Sequence, residues 1–273
     1  MFECVVNISE GRDLPVLEQL SRAAGQSLRD RHRDRHHHRS VFTLINEPEQ
    51  LLNDLHTLAS TAYQKIDLRR HQGVHPRFGV VDVVPFVALD PEDPARACQL
   101  RDETAAWFAD TCFLPVFLYG ELADGTTRSL PDVRRDAFEA LPPDLGPDAA
   151  SSSKGAVAVG CRPLLVAWNL WLRDVSLDQA REMAAAVRAP NVRALAFEVG
   201  DDVQVSCNLI DVPAARPSLV YDAVAGMLEG GGRIDHAELV GLVPQSLLDA
   251  EDATRWEELG LSPDATLEAR LAL

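Results

Sequence analysis

Short apolar runs alternate along this chain with longer stretches in which apolar positions recur every three or four residues, a pattern of strands interleaved with amphipathic helices. The run from Glu3 to Ile8 predicts a strand, and the stretch from Leu14 to about Leu28 a helix. A second strand near Val41 to Ile45 leads through Asn46-Glu47-Pro48 into a helix bearing Leu51, Leu52, Leu55, Leu58, Ala59 and Ala62 at helical spacing, a core-facing stripe. Pro48 suits the first turn of that helix, where its missing N–H would have no intrahelical partner anyway. A strand from Val80 to Leu89, a helix from Pro94 to about Ala109 and a strand from Leu114 to Tyr119 follow.

From about Ala123 to Lys154 the composition turns to Asp, Gly, Pro and Ser, with a short helix predicted from Pro131 to Leu141. This stretch reads either as a linker or as a loop that covers substrate. Beyond it come a strand from Leu164 to Leu172, a helix from Ser176 to Arg188, strands Val192 to Val199 and Val203 to Leu209, a helix from Arg216 to Glu229 and a strand from His236 to Val243. That βαββαβ order folds most simply as a ferredoxin-like layer with both helices on one face of an antiparallel sheet. Leu164 to Trp168 is apolar on both parities, so the other face is expected to pack against the sheet of the first half. The expected architecture is α+β. It has two ferredoxin-like halves, residues 1–155 and 156–273, with sheets face to face, helices outside and a ligand tunnel between them.

Composition is that of an ordinary globular chain, 46% apolar and 25% charged over 273 residues, and no apolar run reaches the roughly 18 residues that span a bilayer. The start, Met-Phe-Glu-Cys, lacks the pattern of a secretory signal, so a cytoplasmic protein is expected. Cys4, Cys98, Cys112, Cys161 and Cys207 are scattered without a Cys-x-x-Cys pair and read as buried thiols. A net charge of −16 disfavours nucleic acid as a partner.

Positive charge is instead local. Arg29, Arg31, Arg33, Arg35 and Arg39 share one segment, and Arg69, Arg70 and Arg77 share another, Asp67-Leu-Arg-Arg-His-Gln-Gly-Val-His-Pro-Arg-Phe-Gly79. His32, His36, His37, His38, His71 and His75 lie in the same two segments. A Gly- and Pro-punctuated loop before a strand, carrying Arg and His, suits capture of an anion and movement of a proton, because imidazole titrates near neutrality. A solvated basic turn is the plainer alternative, and the Arg29 to Arg39 segment reads equally as a pocket wall or as a solvated edge. His71 and His75 stand four apart, but Gly73 and Pro76 disfavour the helix a two-histidine metal motif needs, so no metal is expected.

Several blocks, taken in order, carry a family resemblance: Phe2-Glu-Cys-Val-Val-Asn-Ile-Ser-Glu-Gly-Arg12, His38-Arg-Ser-Val-Phe-Thr43, the 67–79 loop with Asp82-Val-Val-Pro-Phe86, Gly160-Cys-Arg-Pro-Leu-Leu-Val-Ala-Trp-Asn-Leu170, Gln204-Val-Ser-Cys-Asn-Leu209 and Glu238-Leu-Val-Gly-Leu-Val-Pro244. Together they resemble the glutamate formiminotransferase family. The resemblance implies transfer of a formimino group from N-formimino-L-glutamate to tetrahydrofolate, as co-substrate, in histidine breakdown and one-carbon metabolism. It also implies a folate tunnel between two subdomains, and a homodimer. His75, in the block matching the family's Gly-Glu-His-Pro-Arg motif, is the implied acid and base.

Asp30 and His32, where the family commonly has Asp-Val-Asp, are assigned beside His75 as catalytic groups. Arg39, Arg69, Arg70, His71, Arg77 and His38 are assigned to the substrate carboxylates, since a guanidinium holds a carboxylate in a two-point fork. The segment matching the family's folate loop assigns Gly146, Pro147, Ser151, Ser152, Ser153 and Gly155 to the co-substrate, and Asn169 and Asn208 can offer amide hydrogen bonds to its pterin. Trp168 and Trp171, three apart in a strand, belong on opposite faces.

The chain departs from the family at Val74 (Glu in the family), at His38 (Asn) and in the loss of apolar and aromatic residues from the folate loop. No cyclodeaminase domain, such as is fused to animal versions, is expected. A paralogue with folate-independent chemistry on a formimino or other small anionic substrate, or a non-catalytic folate-binding module, therefore stays open.

Overall fold

The computed structural model describes every residue except 72–76, 91–92, 211, 213 and 273. It is an α+β chain of two compact units, Met1–Pro163 and Leu164–Leu273. In the first, β1 (Phe2–Ile8) leads to α1 (Leu14–Ala23), capped by the Asp13 carboxylate on the Val16 N–H. This helix is shorter than its apolar pattern predicts. Gly25 turns left-handed at φ +59°, and a side chain there would strike the buried Asp54 carboxylate at 2.4 Å. Asp54 also accepts from the N–H and hydroxyl of Ser27, and so draws the chain out of the helix into β2 (Leu28–Asp34), a strand the hydrophobic pattern does not reveal.

A turn leads to β3 (Arg39–Asn46), then α2 (Pro48–Lys65) and β4 (Val81–Ala88). After α3 (Pro94–Cys112) come β5 (Val116–Glu121), the short β6 (Thr127–Arg128), α4 (Leu130–Asp136) and β7 (Val157–Cys161). The sheet runs β2-β3-β1-β4-β7-β5-β6, with β7 parallel to both β4 and β5. Because β7 is held between them, the first unit extends through Pro163, past the expected division after residue 155.

Strand parity sorts the side chains of this sheet. Phe2, Cys4, Val6, Ile8, Phe42, Leu44, Val84, Phe86, Val159 and Cys161 pack with α1, α2 and α3 in one core. On the other face Val83, Phe117, Tyr119 and Ala158 pack with Val133 of α4.

The second unit follows the expected order: β8 (Val166–Arg173), α5 (Leu177–Val187), β9 (Val192–Val199), β10 (Asp202–Leu209), α6 (Pro217–Ala225) and β11 (Arg233–Val240). Its antiparallel sheet runs β11-β8-β10-β9. A reciprocal capping box between Ser176 and Gln179 starts α5. The chain closes with α7 (Gln245–Ala250) and α8 (Leu267–Leu271). Trp168 is fully buried in this unit's core and donates to the Leu259 carbonyl at 2.8 Å, while Trp171 points to the other face, as the alternation predicts.

The expectation of five thiols needs correction, since Cys98 and Cys161 form a disulfide and Cys4, Cys112 and Cys207 remain free and buried. Cys98, in the second turn of α3, lies over the end of β7 with its Cα 5.1 Å from that of Cys161, a proximity that 63 residues of sequence separation conceal. Among the described residues no helix is long and apolar enough to cross a membrane.

Candidate active site

The end of β1, the start of β3 and the start of β4 meet around one buried carboxylate. Asn7 pairs with Val83 and Ile8 with Val81, so Asp82 is the extra residue of a β-bulge. Such a bulge re-aims a side chain, and Asp82 reaches Arg39, which itself donates to Asn7 at 3.3 Å. Asp82 is fully buried and accepts from Arg39 Nη2 at 2.5 Å, from Arg134 Nη2 at 2.6 Å, and from the N–H groups of Phe78 and Gly79. Burial alone would push its carboxyl up, but Arg39, Arg134 and the Phe78 N–H together hold it below the usual carboxylate range. Arg77 stands close enough to interact with the same carboxylate, and burial lowers its own pKa first of all. Three guanidiniums around one carboxylate leave the cluster net positive, as an anion site in an acidic protein requires.

Beside this cluster stands a second constellation. Glu10 accepts from the N–H groups of Arg12 and Asp13 at 2.7 and 2.9 Å, and lies 3.0 Å from His38 Nε2. His38 sits in the left-handed region at φ 53°, at the end of the turn between β2 and β3, a position that the family's Asn would also tolerate. Its ring stacks on His71 with centroids 3.7 Å apart. Burial first, then the neighbouring His38 and Arg77, push the His71 imidazole down to about 4, so it is neutral at ordinary pH. Neither His71 ring nitrogen has a hydrogen-bond partner among the described residues.

The Ser-rich segment is pinned to the same frame. Leu68 N–H donates to the Ser153 carbonyl at 2.9 Å, Val80 N–H to the Lys154 carbonyl at 2.8 Å, and Ala156 N–H to the Phe78 carbonyl at 3.0 Å. Gly79 and Gly155 cross so closely that a side chain on Gly155, itself at φ +77°, would stand 2.4 Å from the Phe78 carbonyl. This rules against the linker reading, because the segment closes on itself between Ser151 and Gly155 and buttresses both ends of the 67–79 loop. Gly146, at φ +82°, lies against the Leu114 carbonyl, where only glycine fits, and Pro147 follows it on the exposed surface. Ser152 is exposed, whereas Ser151 and Ser153 are partly buried.

The remaining assigned residues divide. Arg39, His38, His71 and Arg77 gather at the site. Arg69 instead forks onto the neighbouring Asp67 carboxylate in solvent, and Arg70 is exposed. Asp30 and His32 lie on edge strand β2, on the sheet face that also carries Arg39 and Asn7, opposite Thr43 and Val41. Arg31, on the opposite parity, pairs with Glu18 at 2.8 Å, so of this basic segment Arg39 and His38 enter the cluster while Arg31 faces away. His75 lies outside the described residues.

In the second unit Asn169 donates to Glu238 at 3.0 Å, and Glu238 also accepts from Trp171 Nε1 at 2.9 Å. Asn208, opposite Ala167, shares that sheet face and is exposed. Sequence reasoning assigned no role to Asp82, Arg134 or Glu10. An aspartate inside the apolar run from Val80 to Leu89 was the available signal for the first. Arg134, in a short helix among Asp and Pro, carried none. No group of three or more His, Cys, Asp and Glu among the described residues could hold a metal ion.

Comparison with known proteins bears on this site. Residues 1–162 match the formiminotransferase domain, N-terminal subdomain. The chain is 33% identical to formimidoyltransferase-cyclodeaminase of Sus scrofa, over 92% of this chain and 51% of that protein, so it spans about half the length of such relatives. It is 31% identical to glutamate formimidoyltransferase of Thermoplasma acidophilum, over 91% of this chain and 90% of the relative. The protein of the same name from Streptococcus pyogenes is 29% identical, with 92% of each chain covered. The chain therefore belongs to the formiminotransferase domain family.

Proposed function

We propose that this protein transfers the formimino group of N-formimino-L-glutamate to tetrahydrofolate, releasing glutamate. The observation that carries this reading is the family match, which runs across the Arg/His loop and the buried Asp82 cluster, with stand-alone relatives of nearly the same extent named glutamate formimidoyltransferase. Attack by folate N5 on the formimino carbon gives a tetrahedral adduct. A proton then leaves N5, another reaches the departing glutamate nitrogen, and the C–N bond to glutamate breaks. One imidazole with a pKa near neutrality can carry both protons in turn, and we assign this to His75 on its place in the sequence block. Asp30 and His32 are its proposed neighbours.

Arg39, Arg77 and Arg134 would draw the substrate carboxylates to the site, His38 and His71 would wall it, and Arg69 and Arg70 would act from solvent. Gly146, Pro147, Ser151, Ser152, Ser153, Gly155, Asn169 and Asn208 remain proposed folate contacts.

We further infer two ferredoxin-like subdomains. The strand order β2-β3-β1-β4 in the first unit and β9-β10-β8-β11 in the second supports this, since both order their strands 2-3-1-4 by position in the βαββαβ unit. The same reading takes the protein to be a cytoplasmic homodimer. The test is to mix purified protein with formiminoglutamate and tetrahydrofolate and follow the 5-formimino product, with His75→Ala alongside. Turnover lost in the variant supports the reading. Turnover of the donor without folate would replace it with the folate-independent alternative.

A further inference from the structure

Glu3 stands on β1 with parity opposite to Phe2 and Cys4, and so projects from the sheet face that α1, α2 and α3 do not cover. It is 3% exposed. Its cross-strand neighbours, Ile45 on β3 and Val87 on β4, offer no polar group, and its Oε2 has no hydrogen-bond partner among the described residues. A buried carboxyl left this way is costly, and native proteins seldom keep one without use. Burial pushes its pKa up to about 7, with Arg162 only partly opposing.

A second orphan lies beside it. Thr43 is fully buried and its Oγ1 also lacks a partner among the described residues. Thr43 faces Val5 while Glu3 faces Ile45, so the two are diagonal neighbours on one face, about 7 Å apart at Cα. Pro85 pairs with Gly160, and Gly160 has no side chain because the Tyr119 ring lies where its Cβ would be, 2.2 Å from the ring. A buried carboxylate and a buried hydroxyl on one sheet face, with Pro85 and the Tyr119 ring on that same face, suit a heterocycle whose edge presents two adjacent N–H donors, an amidine edge, since a carboxylate accepts such a pair in two parallel hydrogen bonds.

We propose that Glu3, assisted by Thr43, recognises the 2-amino and ring N–H edge of the pteridine of tetrahydrofolate. This rests on the function proposed above. The formimino donor is itself an amidine. Glu3 stands four residues along β1 from Asn7, however, roughly 13 Å from the arginine cluster, which places it at the far end of a larger molecule rather than at the transferred group.

The experiment uses the full chain, with 5-formyltetrahydrofolate titrated by calorimetry into wild type, Glu3→Gln and Thr43→Val, and with KM measured for both substrates. Loss of a charge-assisted pair predicts roughly 10- to 100-fold weaker folate binding in Glu3→Gln, and a loss of up to about tenfold in Thr43→Val, with the donor KM unchanged. A pteridine lacking the 2-amino group should bind wild type weakly and lose little more in Glu3→Gln. Equal folate affinity in wild type and Glu3→Gln overturns the assignment and leaves the transferase reading standing. A raised donor KM with folate affinity intact overturns it in favour of the donor amidine. Absence of folate binding in wild type removes the transferase reading and this inference together. Should Glu3→Gln not fold, Thr43→Val with the 2-desamino compound decides the matter on the same criteria.

Discussion

The imidazoles of His38 and His71 lie face to face, 3.7 Å between centroids and within 7° of parallel, with Glu10 held 3.0 Å from the outer nitrogen of His38. Burial first, then the neighbouring His38 and Arg77, keep His71 neutral, a wall of the site rather than a cation in it. Its ring signals in a pH titration by NMR should stay those of the neutral form down to about pH 4.

The sign of the linkage follows from the same shift. The unfolded chain takes up a proton at His71 near 6.5, the folded chain only near 4, so stability is lost as pH falls through that window. His71→Phe, which keeps a stacking ring and cannot titrate, should flatten the acid side of a denaturation profile between those limits. An unchanged profile would mean the ring titrates freely.

Asp82 presents a different dependence. It is a buried anion satisfied by two guanidiniums and by the N–H groups that set the path of Phe78 and Gly79 into β4. Asp82→Asn removes the charge and leaves Arg39 and Arg134 facing one another. Breaking a buried ion pair from one side costs about 3–5 kcal/mol, and a loss of this size is expected in the denaturant midpoint, together with a fall in turnover. Because the carboxyl is held below its ordinary range, its contribution is present above a pH of about 4 and is lost only as pH falls further.

These two clusters also show what was legible in the sequence. Periodicity located most of the helices and strands, though not β6, α7 or α8, and the Arg/His loop was recognisable from residue type alone. β2 was missed because Leu28–Asp34 is charged at almost every position, so its alternation carries no hydrophobic signal; its place beside β3 comes from pairing. β7 was missed because its Val-Ala-Val-Gly-Cys is short and follows a Ser- and Gly-rich turn. The partners of Asp82 come from β3 and α4, 43 and 52 residues away in sequence, and no local pattern announces such a meeting. The Cys98–Cys161 bond was hidden for the same reason.

That bond gives a direct count. Alkylation under denaturing, non-reducing conditions should label Cys4, Cys112 and Cys207 and spare Cys98 and Cys161. Closing a loop of this length is worth about 2–4 kcal/mol, so reduction or Cys98→Ser should lower the melting temperature by several degrees. Five labelled thiols would mean that the two cysteines lie close without bonding.

The crossing of Gly79 and Gly155 ties the Ser-rich turn to the frame of the Arg/His loop. Gly155→Ala would add a methyl 2.4 Å from the Phe78 carbonyl at a left-handed φ, so strain and clash add together. A loss of about 2 kcal/mol or more is expected, with the hydrogen bonds of Leu68 to Ser153 and Val80 to Lys154 weakened first. Amide exchange at Leu68 and Val80 reads this locally, and protection equal to wild type would show that the crossing relaxes without consequence.

Glu3 closes the set, because its effect on stability runs opposite to that of Asp82. In the unfolded chain its carboxyl ionises near 4.5, and in the folded chain near 7. Between those values the folded state holds the extra proton, so raising the pH destabilises the fold, and above about 7 the full cost applies. Glu3→Gln removes a group that cannot ionise comfortably where it stands. The variant should be more stable than wild type at pH 8, by up to about 3 kcal/mol, and equal to it near pH 4. Denaturant midpoints measured at both values decide this. A variant less stable at pH 8 would show that the carboxylate is held by partners, whereas a more stable one that binds folate poorly would mark a residue kept for ligand at the expense of the fold.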